Sequence, residues 1–243
     1  MASPGKPTLH HLNNSQSQRI LWLLEELRLA YPTFSYDLKH YHRSTSGANR
    51  GRAPPELKDV SPLGKSPCLV TASGRTLTES NTIASYLIRT YDTEWRFLGD
   101  ERKGLDWIRD DTLCNFAAAT MGPTLTMYLI LSLLTGATPW VLRALPGMFT
   151  WPIIRFLVRP EMEAQLKYLE EAVGEGENEF FMGTERPGRA DFMLSFPFDL
   201  MVAQGWEDLG QYPRLRAWRE RYQAREGWKR GLSEGNGYDM SKF

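Results

Sequence analysis

The hydrophobic pattern of this chain changes its period once, in the connector near residues 92–100. Before the connector, strand-like alternation and one-sided helical runs follow each other in the order β-α-β-loop-β-β-α. After it, every periodic segment has helical spacing. A joint change in period and composition marks a domain boundary. We therefore predict a small α/β domain over residues 7–92 and an all-α domain over residues 100–230.

The elements of the α/β domain are predicted from local signals. A strand at Thr8–Leu12 precedes a helix whose apolar side chains, Ile20, Leu23, Leu24 and Leu27, share one face. Alternation predicts a second strand at Thr33–Leu38. Residues 67–77 form a hairpin, and Glu79-Ser80 starts the next helix. The helices of the second domain are predicted at about 101–120, 123–135, 139–158, 160–173, 190–203 and 213–226.

Composition excludes several classes of protein. The 29 Lys and Arg residues balance the 29 Asp and Glu residues, which argues against a dedicated nucleic-acid-binding protein. A hydrophobic fraction of 42% over 243 residues favours a folded core over a disordered chain. The two cysteines, Cys68 and Cys114, cannot build a disulfide framework and favour a reducing compartment. No zinc or other metal site is expected from the four histidines, which are His10, His11, His40 and His42.

The ends of the chain and two apolar segments bear on location. The first seven residues lack the apolar core of a signal peptide, so we expect a cytoplasmic protein, with a peroxisomal alternative from Ser241-Lys242-Phe243. The apolar run Leu125–Leu134 is shorter than the roughly 20 residues of a membrane span, and a buried helix is expected. Residues 139–158 are also apolar but contain prolines and arginines. A buried or dimer-facing helix pair is favoured there, and membrane-surface contact is the alternative.

Three local features place polar groups at the start of a helix or strand. Asn13–Arg19 joins the first strand to the first helix, Gly64–Pro67 opens the hairpin, and Glu79-Ser80 opens the next helix. Each has an ordinary explanation as a helix cap or an edge residue. Each also suits a ligand, because helix N-termini bind anions and a cis-Pro67 would free the Ser66 backbone for an extended peptide.

The order and spacing of these features resemble those of one enzyme family. The runs Leu12-Asn13-Asn14-Ser15, Gln18 to Leu27, Arg52 to Lys58, Pro62 to Pro67 and Ala190 to Pro197 are similar to the soluble glutathione transferases. The resemblance covers about residues 7–230 and is strongest to a fungal and bacterial subgroup with an active-site serine. It implies a thioredoxin-like first domain, a helical second domain and a homodimer.

The resemblance also implies roles for residues of the first domain. Ser15 would stabilise the thiolate of glutathione, with Asn14 and Ser17 as rival donors. Arg52 would bind the glycine carboxylate of glutathione, and Lys65 would be a second contact. Ser66, beside a cis-Pro67, would bond the cysteinyl backbone. Glu79 and Ser80 would hold the γ-glutamyl end. Cys68, next to that proline, is expected to be a buried and unreactive thiol.

The second domain would supply a pocket for a hydrophobic electrophile. The candidate lining residues are Trp107, Asp111, Cys114, Phe116, Ala118 and Met121. Conjugation of the thiolate to the electrophile is the expected reaction. Glutathione-dependent reduction of a hydroperoxide, or isomerisation or dehydration, is an alternative, as is a non-catalytic protein that binds ligands or partners.

Two segments depart from the family pattern. The loop Tyr41–Gly51, which precedes Arg52, is longer than expected, so it is predicted to move over the site or cover it. Gly188 stands where the family usually has a Ser or Thr helix cap, which costs only a few tenths of a kcal/mol.

Overall fold

A computed structural model describes residues 5–46, 50–97, 106–173 and 179–242. Phe243 of the candidate peroxisomal signal and residues 47–49 of the long loop lie outside the described residues. The strands are β1 (Thr8–Leu12), β2 (Asp37–Tyr41), β3 (Cys68–Val70) and β4 (Thr76–Leu77). The α-helices are α1 (Gln18–Ala30), α2 (Ser80–Tyr91), α3 (Trp107–Asn115), α4 (Gly122–Gly136), α5 (Ala144–Ile153), α6 (Arg159–Ala172), α7 (Arg189–Ala203), α8 (Pro213–Ala224) and α9 (Glu226–Glu234).

The four strands form one mixed sheet in the order β2-β1-β3-β4. β1 and β2 are parallel, and the pairs β1–β3 and β3–β4 are antiparallel. The parallel pair is joined by α1, as a parallel connection requires a crossover. This sheet with its two helices, followed by a helical domain, confirms the predicted thioredoxin-like plus all-α fold class.

The second strand lies later than predicted. Its parallel pairing with β1 begins at Asp37, whose N–H donates to the carbonyl of Pro7 at 2.8 Å. Residues before it form a turn, in which the Phe34 N–H donates to the carbonyl of Tyr31 at 2.9 Å. The Phe34 ring is buried in the core. The alternation at residues 33–38 therefore reflects packing of a turn, and the strand prediction there was wrong in position.

The C-terminal end of the chain returns to the first domain. The helix predicted at residues 213–226 is α8, which ends at Ala224. α9 was not predicted and begins after Arg225, whose backbone is extended. α9 packs closely along α1, where a Cβ on Gly231 would lie 3.4 Å from the Cα of Trp22. Arg225 forms an ion pair with Glu26 of α1 at 2.6 Å. The predicted boundary at residue 230 thus falls inside α9, and the domain limits stay a prediction.

An aromatic cluster unites α1 with the helical domain. Trp22 of α1 is fully buried, with ring-centroid distances of 4.5 Å to Phe192, 5.2 Å to Tyr222 and 5.5 Å to Trp228. The Phe192 and Trp228 rings meet Trp22 edge to face, and such pairs attract each other beyond the gain from burial. The cluster packs α1 of the first domain against α7, α8 and α9.

The apolar run in α4 is exposed, and the prediction of a buried helix was wrong. Leu125 is the side chain of α4 that is buried. The continuous helical segment Trp107–Gly136, which includes α3 and α4, is long and apolar enough to cross a membrane. Its most apolar stretch of 18 residues has a mean hydropathy of 1.5, and 17% of that stretch is buried. The sequence prediction failed because a local apolar run does not reveal whether a neighbouring element covers it.

Candidate active site

The loop between β1 and α1 holds Asn14 in a left-handed conformation, with φ of 45°. Asparagine tolerates this region better than most residues. The Asn14 N–H donates to the carbonyl of Gly237 at 3.0 Å, and Asn14 Oδ1 accepts from the N–H of Asp239 at 2.7 Å. The tail that follows α9 therefore orients the Asn14 amide. Its Nδ2 has no hydrogen-bond partner among the described residues and is available as a donor.

Ser15 and Ser17 are bonded within the protein. Ser15 is 3% exposed, and its hydroxyl donates to the carbonyl of Leu12 at 2.7 Å while accepting from the Ser17 N–H at 3.1 Å. A serine hydroxyl has one proton to donate. The Ser17 hydroxyl lies 3.0 Å from Nδ1 of His11. Ser15 would therefore have to leave Leu12 before donating to a ligand, whereas the direction of the Ser17 bond depends on which nitrogen of His11 carries the proton.

His11 is a buried imidazole beside this loop. Burial, and secondarily the nearby His40, lowers the pKa of His11 to about 4 from 6.5. Its Nε2 is buried and has no hydrogen-bond partner among the described residues. Protonation of His11 would thus bury a positive charge whose Nε2–H has no acceptor among the described residues.

Acid should destabilise the protein through His11. Between pH 6.5 and 4 the unfolded state binds a proton that the folded state does not, so stability falls as the pH falls through this range. The contribution is about 3 kcal/mol. We expect His11→Gln to lose this part of the pH dependence in urea unfolding at a series of pH values. The exposed His42→Gln is the control, and identical pH dependence of wild type and His11→Gln would contradict the assignment.

The turn before β3 joins the end of β1. The Ser66–Pro67 peptide bond is cis, as predicted. The Ser66 hydroxyl accepts from the N–H of Leu12 at 3.1 Å and donates to the carbonyl of His10 at 2.9 Å. The backbone N–H and C=O of Ser66 are in no backbone hydrogen bond among the described residues. Cys68 is fully buried, and burial raises the pKa of its thiol, in keeping with the inert role expected for it.

The start of α2 combines an exposed carboxylate with a buried cation. Glu79 precedes the helix with φ of 64°, which costs a residue with a side chain about 1–3 kcal/mol. Its side chain is exposed and does not cap the helix. The Ser80 hydroxyl accepts from Nη2 of Arg19 at 3.1 Å. Strain of this kind at the start of a helix is typical of binding sites.

Arg19 was not assigned a role from the sequence. Its Nη1 donates to the carbonyl of Met193 at 2.8 Å, and Nη2 also donates to Gln16. Its Nε is buried and has no partner in the part of the chain that the structure describes. Burial lowers the pKa of Arg19 to about 10, while negative charge at Glu79 opposes the shift. A cation in the first turn of α1 is unfavourable next to the positive end of the helix dipole. This unusual position is the feature of the sequence that could have indicated a role for Arg19.

Arg43 connects the long loop to Asn14. Its Nη2 donates to the Asn14 carbonyl at 2.9 Å and its Nη1 donates to the carbonyl of Gly51 at 2.8 Å. The neighbouring Arg52 is exposed, and its carbonyl accepts from the Ser44 N–H at 3.0 Å. Lys65 is also exposed. The proposed ligand contacts of Arg52 and Lys65 stay predictions, and Arg43 is a positioning residue that the sequence did not single out.

The candidates in the helical domain divide between core and surface. Cys114 and Met121 are fully buried members of the hydrophobic core, and burial raises the pKa of the Cys114 thiol. Asp111 pairs with Arg189 at the start of α7. The exposed candidates are Trp107 and Ala118, and Phe116 is half-buried against Tyr168. The structure thus does not gather these six residues on one surface, and a pocket formed by them stays a prediction.

The end of β1 brings two of the predicted features together. Leu12 donates its N–H to the Ser66 hydroxyl and accepts at its carbonyl from the Ser15 hydroxyl. Arg19 then links this loop to Ser80. The described residues include no group of three or more His, Cys, Asp or Glu side chains that could hold a metal. The arrangement offers hydrogen-bond donors and an acidic group to a polar, extended ligand.

Comparisons with known proteins agree with this geometry. Residues 15–90 match the family model "Glutathione S-transferase, N-terminal domain". The chain is 33% identical to "Glutathione S-transferase 3" of Schizosaccharomyces pombe over 86% of its own length and 80% of the relative. A glutathione S-transferase structure from Actinobacillus pleuropneumoniae is 28% identical, with a TM-score of 0.70 over 98% of this chain and 96% of the other.

A further structure shows how far the fold extends. The glutathione transferase homologue from Sulfitobacter, solved with bound glutathione, is 17% identical and has a TM-score of 0.68 over 94% of this chain and 98% of the other. At that identity the likeness concerns the fold alone. The sequence relation to the Schizosaccharomyces pombe enzyme covers both domains and most of both chains. This chain therefore belongs to the glutathione S-transferase family.

Proposed function

We propose that this protein binds glutathione beside the end of β1, stabilises its thiolate there, and conjugates the sulfur to a hydrophobic electrophile. The observation that carries the proposal is the pair of hydrogen bonds at Leu12, whose N–H donates to Ser66 and whose carbonyl accepts from Ser15. These bonds join the Asn14–Ser15 loop to the turn at the cis Ser66–Pro67 bond. The 33% identity to "Glutathione S-transferase 3" of Schizosaccharomyces pombe supports the ligand. No metal is required for this reaction, since the thiolate itself is the nucleophile.

The unpaired Ser66 backbone supports an extended pose for glutathione. A peptide lying along this edge would receive one N–H and one C=O from Ser66, as a strand does. The α-carboxylate of the γ-glutamyl residue would then lie at the start of α2, whose first N–H groups and dipole favour an anion. Arg19, which contacts Ser80, adds a positive charge at the same place. The exposed Glu79 carboxylate suits the ammonium group.

The thiolate needs a donor near the start of α1. A thiol with a pKa near 8.5–9 is mostly protonated at pH 7, and lowering that pKa by about two units takes about 2.7 kcal/mol. One hydrogen bond to a charged group supplies about 1.5–3 kcal/mol. The dipole of α1 adds about 0.3–1 kcal/mol. A single well-placed donor in the β1–α1 loop is therefore sufficient.

Ser15 and Asn14 are the two candidates for this donor. The family resemblance favours Ser15, and that assignment stays part of the proposal. The contacts rank Asn14 above it, because the Ser15 proton is already given to Leu12 whereas the Asn14 amide has a free Nδ2. The Asn14 amide is also held in place by Asp239, so it loses little freedom on binding. The two assignments differ in their expected kinetics.

The test of glutathione binding is calorimetry on Glu79→Gln. This substitution keeps the shape and removes the charge that would pair with the ammonium group. We expect affinity to fall about 10- to 100-fold, the scale of a charged hydrogen bond. Glu220→Gln, at an exposed carboxylate on α8, should bind as the wild type does. Equal affinity of Glu79→Gln and wild type would contradict the placement of the γ-glutamyl end.

A further inference from the structure

The far end of the α4–α5 hairpin carries a large exposed apolar surface. We call Leu134, Trp140, Leu145, Met148, Phe149 and Trp151 the distal apolar surface. Trp140 is 80% exposed and Phe149 is 73% exposed. Several large exposed apolar side chains on one short hairpin of a folded protein indicate a site of interaction.

The hairpin that carries this surface is held together near its tip and anchored at the middle of α4. The Thr135 and Thr150 hydroxyls lie 2.9 Å apart and join α4 to α5. The Tyr128 ring stacks on Trp206 at 4.5 Å, which anchors the middle of α4 to the segment after α7. From Tyr128 the helix continues for eight residues to Gly136, about 12 Å at the rise of an α-helix. The distal apolar surface is therefore the tip of a supported projection.

The charges around the distal apolar surface have one sign. The sequence has no Asp or Glu between Asp111 and Glu161. Arg143 donates only to the carbonyls of Gly136 and Thr138, and Arg155 lies over the Phe156 ring. Neither arginine pairs with a carboxylate among the described residues. The tip thus presents apolar side chains and two cations without compensating anions.

We infer that the distal apolar surface inserts into the interface of a membrane that contains anionic lipids. Trp140 and Trp151 have the amphipathic rings that favour the headgroup level of a bilayer. Arg143 and Arg155 complement lipid phosphates or carboxylates. An amphipathic element of this kind enters the bilayer by about 5–10 Å, within the length of the projection.

Two other occupants fit the surface less well. A second copy of the chain would bring the same arginines to the interface with no acidic residue of this hairpin to pair with them. A full membrane span by Trp107–Gly136 would remove Leu113, Cys114 and Met121 from the core of the helical domain. Peripheral insertion of the tip keeps that core intact and neutralises the arginines.

The proposal is tested by sedimentation of the full-length protein with lipid vesicles. We expect the wild type to bind vesicles of phosphatidylcholine with phosphatidylserine and to bind pure phosphatidylcholine vesicles at least about 10-fold more weakly. The double variant Trp140→Ser/Phe149→Ser should lose at least about 10-fold in affinity for the anionic vesicles. Arg143→Glu/Arg155→Glu should lose the preference for anionic lipid. Arg216→Glu, on the exposed face of α8, is the charge control.

Glutathione binding separates this proposal from the proposed function. All variants of the tip should bind glutathione with wild-type affinity, because the tip contributes no residue to the proposed glutathione site. Wild-type protein that stays in the supernatant with both kinds of vesicle would overturn the inference. So would binding that is equal for both lipids and unchanged in the arginine variant. A dimer that Trp140→Ser/Phe149→Ser dissociates, without vesicle binding, would assign the surface to a second copy.

Discussion

Replacement of Asn14 by aspartate should lower the turnover of glutathione conjugation about 100-fold and raise the pH midpoint of the rate. The new carboxylate can still accept from the Asp239 N–H, as Oδ1 of Asn14 does at 2.7 Å, so the loop should keep its shape. The substitution exchanges a free N–H donor for a negative charge. Loss of one well-placed donor costs about 10²-fold in rate, and a neighbouring anion raises the pKa of the bound thiol.

The measurement is a stopped-flow pH titration of the absorbance of bound thiolate. Asn14→Gly is a second variant that removes the amide and tolerates the left-handed backbone, so it should show the same direction of change. Ser15→Ala should change the midpoint little if the hydroxyl serves Leu12. A wild-type midpoint in Asn14→Asp together with a raised midpoint in Ser15→Ala would assign the role to Ser15. Ser17→Ala is the control within the same loop.

Replacement of Asp191 by alanine should lower the free energy of unfolding by about 3–5 kcal/mol. This fully buried carboxylate of α7 accepts from the Gly188 N–H at 2.7 Å, the Phe181 N–H at 3.1 Å and Nε1 of Trp218 at 2.7 Å. Each buried donor left unpaired costs about 1–3 kcal/mol. Since whole proteins are stable by about 5–15 kcal/mol, one substitution here removes a large share. Gly188, the N-cap of α7, cannot accept from the first turn with a side chain, and its own N–H donates to Asp191 Oδ2.

A graded series keeps this prediction testable even if the alanine variant does not fold. The Phe181 and Trp218 donors both contact Oδ1, and Gly188 donates to Oδ2. Asp191→Asn can retain the two bonds at Oδ1 and lose one, so it should cost less than alanine. Asp208→Ala removes an acceptor of the Gly210 N–H at an exposed turn and should cost under about 1 kcal/mol. Urea unfolding followed by far-UV circular dichroism measures the free energy of unfolding of each variant. The prediction is contradicted if Asp191→Asn lowers this free energy no more than Asp208→Ala does.

Local patterns predicted the parts of the site that depend on short segments. The helix of Ile20, Leu23, Leu24 and Leu27, the hairpin after Ser66 and the start of α2 at Ser80 follow from spacing over a few residues. Family resemblance added the cis-Pro67 peptide and the fold class. These features could be predicted because neighbours in the sequence determine helix starts and strand alternation.

The donor at the sulfur position depends on contacts that no local pattern contains. Asn14 is oriented by Gly237 and Asp239, more than two hundred residues further along the chain. Ser15 is directed inward by the carbonyl of Leu12, whose position depends on the pairing of β1 with β3. The Asn14 contacts join segments that are distant in sequence, and the Leu12 carbonyl is positioned by strand pairing, so both depend on the folded chain.

By itself the sequence determined the order of elements, the change from an α/β to a helical domain and the three helix or strand starts that form the candidate site. Tertiary structure decided the rest. It placed β2 at Asp37–Tyr41, packed the unpredicted helix α9 along α1 and left the apolar end of the α4–α5 hairpin uncovered. The physical reason is that periodicity reports which face of an element is apolar, whereas burial and hydrogen-bond partners depend on which distant segment reaches that face.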